Sequence, residues 1–192
     1  MDLFSFDRYQ IRRKFLSFVH KDFFVHGPTG EVVLWGRKKG FRLKEDIRLF
    51  GDAAMQREVL SIQARHAIDF AATYDVWDSQ SRLKIGALQR KGFRSILRDE
   101  WEILGPDERS LGTMQEDSQG MALLRRFLVN LIPQSFDIAS GGTVLAQVRQ
   151  HFNLIHFRLD LDFSPDAARR LDRRLGVAAA VVLSVIEGRQ RD

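Results

Sequence analysis

From Leu175 to Ile186, within LGVAAAVVLSVIEG, twelve consecutive residues carry no charge. A helix apolar on every side must be surrounded on every side. Twelve residues make about 18 Å of helix, whereas a bilayer core of ~30 Å takes about 20 residues to cross. The stretch is too short to span a membrane, so its surround has to come from the rest of the chain. Upstream, Ser164 suits an N-cap, Pro165 a first helical position and Asp166 the positive end of the helix dipole. Ala167, Leu171 and Leu175 continue the stripe, which predicts one helix from Pro165 to Glu187.

Most of the remaining sequence reads as short strands. In His151–Phe163, residues Ile155, Phe157, Leu159, Leu161 and Phe163 alternate with Leu154, His156, Arg158, Asp160 and Asp162. That period of two marks a half-buried strand. Phe23–His26, Val32–Gly36, Arg57–Ala64, Phe70–Trp77, Arg82–Arg90 and Thr143–Val148 read similarly, with turn chemistry at HGPTG, WDSQS and SGG. A second helix, short and amphipathic, is predicted over Gly120–Leu131, where Met121, Leu124, Leu128 and Leu131 are helically spaced and Pro133 is a stop.

The strands repeat. TGEVVLWGRKKGFRL from Thr29 aligns with QSRLKIGALQRKGFRSI from Gln80, and GGTVLAQVRQHFNLI from Gly141 follows the same plan more weakly. Each copy is a turn, an apolar strand, a basic or polar knuckle ending in Phe41, Phe93 or Phe152, then another strand. Repeated hairpins suit an antiparallel meander closed into a barrel, which leaves no edge open. The expectation is mainly β: an antiparallel β-barrel closed around the hydrophobic C-terminal helix, in a single domain over 1–192 with its core at about 9–188.

That plan resembles the tubby-like C-terminal fold, and the sequence is similar to the LURP-one-related branch, related to the phospholipid scramblases. The likeness lies in KDFFVHGPTGEVVLWGRKKGFRL, REVLSIQARHAIDFAATYDVWD, RLKIGALQRKGF and LDRRLGVAAAVVLSVIEG. It implies the barrel and central helix. Tubby proteins imply phosphoinositide binding through basic residues, and scramblases imply lipid movement. The chain departs from the scramblase pattern, having no cysteine to acylate.

With no cysteine, disulfides, thiolate catalysis and Cys-based zinc sites are excluded. No GxSxG, P-loop, dinucleotide fingerprint or HExxH occurs, so no enzymatic activity and no cofactor are expected. His151 and His156, on opposite faces of the expected strand, cannot share a metal there. Asp160 and Asp162 point to ion pairing with Arg158, and Asp75 and Asp78 to turn hydrogen bonds. Trp35, Trp77 and Trp101 follow the core alternation, which argues against a nucleic-acid stacking face.

A net charge of +5 favours anionic partners. The expected lipid- or phosphate-binding residues are the knuckles Arg37, Lys38 and Lys39 and Arg90 and Lys91, joined by Arg12, Arg13, Lys14 and Arg94. The bland alternative is that basic hairpin ends keep loops soluble and block edge pairing. The leading expectation is a non-enzymatic cytoplasmic domain docking on an anionic membrane surface. The alternatives are a protein-interaction module using Met121–Leu131 and a scramblase-like lipid-moving protein.

Overall fold

The computed structural model describes residues 2–14, 21–38, 45–66, 72–91, 100–116, 134–151 and 156–187. Twelve strands form one closed barrel in which every neighbouring pair is antiparallel. They are β1 (Arg8–Lys14), β2 (Lys21–His26), β3 (Val32–Lys38), β4 (Asp46–Phe50), β5 (Glu58–Ala64) and β6 (Thr73–Asp78). The circuit continues through β7 (Lys84–Arg90), β8 (Glu100–Leu104), β9 (Ser110–Glu116), β10 (Ser135–Ser140), β11 (Thr143–His151) and β12 (His156–Asp162). Strand β12 closes the ring on β1, with Arg8 opposite Asp162 and Ile11 opposite Leu159.

The helix α1 (Arg173–Glu187) fills the barrel. An eight-stranded barrel is filled by its own side chains; twelve strands leave room for a helix about 10 Å across. Val177 through Leu183 are buried all round, against inward residues such as Ile11, Leu34, Leu60, Leu88 and Leu159. The small side chains of Ala178, Ala179 and Ala180 let the wall close on the axis. Gly176 lies under the Phe163 ring and Gly86 against the Leu104 carbonyl and Leu175, where added methyl groups would collide. The helix's buried hydroxyl, on Ser184, donates to the Val181 carbonyl at 2.7 Å. The described helix is not long and apolar enough to cross a membrane.

The barrel closes because its hairpins are bent. Each of the pairs β2–β3, β4–β5, β6–β7, β8–β9 and β10–β11 carries a register shift one or two residues from its turn. Such bulges increase local twist and curve a sheet toward closure. At the SGG turn Gly141 and Gly142 take φ of 56° and 78°, as a two-residue hairpin turn requires.

Two expectations need correcting. The helix begins at Arg173, not Pro165. The Asp166 carboxylate accepts the N–H groups of Arg170 and Leu171, each at 2.9 Å. Those local bonds, with Arg169 at φ 51°, wind the segment into turns instead of a helix. The N-cap is Asp172, which accepts the Arg174 N–H at 2.9 Å. Second, His151–Phe163 is not one strand. His151 ends β11 and lies opposite Arg158 of β12, so the chain reverses between them. The alternation itself holds for β12: Phe157, Leu159 and Leu161 are buried, and Arg158 faces out. The Gly120–Leu131 helix and the Phe41, Phe93 and Phe152 knuckles lie outside the described residues.

Candidate functional site: the basic sector of the wall

In a closed antiparallel circuit all odd-numbered strands run the same way. Their C-terminal ends therefore share one rim, here called the upper rim, and α1 starts at the other. The three repeat copies supply β3, β7 and β11, spaced four strands apart and so a third of the circumference from one another. The basic knuckles gather at one end of the molecule for this reason.

They do not all gather on one side. β1, β2 and β3 are neighbours, which brings Arg12 and Arg13 beside Arg37 and Lys38. β7, carrying Arg90, lies across the barrel, next to the acidic β8 with Glu100 and Glu102. Lys91 there reaches Glu100 at 3.3 Å and Glu102 at 3.8 Å. Lys39 and Arg94 lie outside the described residues.

Nor do the basic residues all face solvent. Arg13 points inward, 4% exposed, with its guanidinium 5.7 Å from the centre of the Phe157 ring. Lys38 also lines the interior and donates to Glu45 at 2.7 Å. Arg90 lies 6.0 Å from the Trp101 ring centre. These three belong to the barrel's inner end. Arg37 faces outward and is held by Asp22 at 3.0 Å, a bond that raises its pKa above the ordinary value.

Sequence reasoning missed the partners that complete the sector. β12 and β11 flank β1 on its other side and add Arg158, His151 and Arg149, all exposed. Arg12 lies directly opposite Arg158, and Arg158 directly opposite His151. Asp160 is the acid among them. It accepts from Gln10 at 2.6 Å and His151 at 2.5 Å, and meets Arg158 at 3.4 Å. Burial pushes its carboxyl up, but the bonds from Gln10, Arg158 and His151 outweigh this and hold it below the usual range. The alternation of β12 places Arg158 outward; its neighbours depend on cross-strand register, which a single sequence does not carry.

The tryptophans divide as well. Trp101 is interior, as the alternation predicts, but Trp35 and Trp77 are half-buried on the outer wall. Asp75 is not in a turn: it lies on β6 and binds Arg65 at 2.7 Å and Lys84 at 2.8 Å. Asp78 does cap its turn, accepting the Ser81 N–H at 2.7 Å. Among the described residues no cluster of three or more His, Cys, Asp or Glu is placed to hold a metal.

The lower rim contains a cavity of about 450 Å³ where α1 begins. Its arginines have assigned partners. Arg173 binds Asp166 at 2.9 Å and Asp7 at 3.1 Å, and Arg174 binds Asp78 at 2.9 Å as well as Asp172. Arg57 and Arg169 are held by the carbonyls of Gly51 and Ser5.

The described residues therefore form a closed antiparallel barrel threaded by a buried helix. The chain belongs to the LURP-one-related family, whose model matches residues 8–184. No curated protein matches the sequence.

Proposed function

We propose that this protein is a non-enzymatic module that docks on anionic phospholipid headgroups at a membrane surface. The observation supporting this is the sector formed by β11, β12, β1, β2 and β3, which presents Arg149, Arg158, Arg12 and Arg37 outward on neighbouring strands. Each basic residue near an anionic surface contributes about 1 kcal/mol. Four give an upper limit of about 4 kcal/mol, reduced by the Asp22 and Asp160 carboxylates that pair Arg37 and Arg158, and so a readily reversible association. The resemblance to tubby proteins, whose basic residues bind phosphoinositides, points the same way, and a cytoplasmic, peripheral location goes with it.

Sedimentation with vesicles containing phosphoinositide or phosphatidylserine tests the reading. Binding is expected at low salt and should fall steeply as salt shortens the Debye length. Replacing Arg12, Arg37 and Arg158 by Gln should weaken it, and neutral phosphatidylcholine vesicles should not bind. Absence of binding at low salt would overturn the proposal. A protein-interaction role is favoured by a different feature, Leu83 and Leu111 on the lower-rim side, which are 66% and 43% exposed.

A further inference from the structure

The outer wall carries a second feature in register with the arginines. Along one cross-strand row, Arg158 of β12 faces Arg12 of β1, Arg12 faces Phe24 of β2, and Phe24 faces Trp35 of β3. Phe50 of β4 extends the row beyond Trp35. Phe24, Trp35 and Phe50 are half-buried and point away from the core, although each sits in a strand with a well-filled inner face. With strands about 4.8 Å apart, Arg158 and Trp35 are separated by about 14 Å, so the four residues form one compact strip.

Each half of the strip is poorly explained by folding alone. Like charges directly opposite on neighbouring strands repel. Arg12 has no carboxylate partner among the described residues, its side-chain bond going to Gln10, and Arg158 has only Asp160 at 3.4 Å, shared with Gln10 and His151. An anion between the two guanidiniums turns the repulsion into two attractive contacts, and phosphate suits guanidinium forks. Outward aromatic rings next to cations match the chemistry of the lipid interface. There Trp lies at headgroup depth with the phosphates close by, and Phe packs at the headgroup–acyl boundary.

We infer that the barrel docks side-on to an anionic bilayer through β12, β1, β2 and β3, with a lipid phosphate held between Arg12 and Arg158 and with Phe24 and Trp35 seated among the headgroups. This orientation rests on the lipid reading above and specifies its face: the wall of the barrel, not its rim.

Tryptophan emission tests it on the full chain, using phosphatidylserine vesicles whose acyl chains carry bromine near the headgroup. Quenching is expected in the wild type and should be lost in Trp35→Phe, because Trp101 is interior and Trp77 lies on β6, away from the strip. Phe24→Ala with Trp35→Ala should weaken vesicle binding about tenfold while circular dichroism keeps the barrel's signature and melting stays cooperative at a somewhat lower temperature. Salt-sensitive binding without Trp35-dependent quenching would overturn the orientation and leave the lipid reading standing. No binding to these vesicles at low salt would overturn both.

Discussion

Two groups of arginines on this barrel differ in what surrounds them. At the lower rim, Arg173 and Arg174 are adjacent in sequence, yet each meets carboxylates placed for it: Asp166 and Asp7 for one, Asp172 and Asp78 for the other. On the outer wall, Arg12 and Arg158 come from opposite ends of the chain and face each other. The first group stabilises the helix start, and Arg173 also stacks on Phe163 with its guanidinium 4.4 Å from the ring centre. The second sets like charges opposite each other, with Asp160 at 3.4 Å from Arg158 as their one nearby carboxylate among the described residues. Arginine therefore serves structure where it is neutralised from within, and becomes a candidate for recognition where it is not.

Variants at the two ends should separate these roles, and the largest effect belongs to the axis that both groups surround. Val182→Asp places a carboxylate at a position 1% exposed, within the apolar core cluster. An uncompensated buried charge costs several kcal/mol, so the variant should show no cooperative thermal transition and should bind a hydrophobic dye. Asp166→Ala comes next. It removes the buried carboxylate from Arg173, leaving it Asp7 at 3.1 Å, and frees two backbone N–H groups, so about 3 kcal/mol should be lost in urea denaturation. Asp172→Ala, which removes the N-cap and one of the two carboxylates on the partly exposed Arg174, should cost about 1–2 kcal/mol by the same measurement.

Acid sharpens the same contrast. Burial raises the Asp166 pKa, but the N–H groups of Leu171 and Arg170 and the Arg173 guanidinium overcome it and hold the pKa below the ordinary value. A carboxyl depressed in the folded state contributes stability that is complete above its unfolded pKa of about 4 and is lost as pH falls through the folded value. Wild-type stability should therefore fall below about pH 4, and Asp166→Ala should flatten that decline. The smallest effect is expected on the outer wall. Arg158→Gln should leave stability unchanged or raise it by a few tenths of a kcal/mol. A double-mutant cycle with Arg12→Gln should return a repulsive coupling. An attractive coupling would erase the distinction between the two groups.

The sequence makes the core more legible than the surface. The uncharged run at Leu175–Ile186 implies a surround, alternation supplies strands, and the repeated knuckles imply a meander; the closed barrel follows from these. The helix start is not legible because Ser164, Pro165 and Asp166 satisfy the rules for a helix N-terminus equally well. The Asp166 carboxylate instead accepts the N–H groups of Arg170 and Leu171, and these local bonds decide against it. The site is legible only in part. Arg12 and Arg37 stand out as basic, but Arg13 and Lys38 turn inward and Arg90 falls across the barrel, a matter of strand parity and circuit order. Trp35 reads as core by its alternation, and Phe24 reads only as part of a strand. Their outward direction appears only when Val25 and Leu34, each one residue away, are seen to take the interior positions.

All twelve wall strands precede their central helix in the chain, and the seam joins β1 to β12, some 150 residues apart at Gln10 and Asp160. During synthesis at about 5–20 residues per second, the inward face of β1 waits roughly ten seconds or longer for the helix that covers it. A seam of such long range also makes closure slow. The nascent chain is thus at its stickiest just before the helix emerges, and its dependence on chaperones should be greatest in that interval.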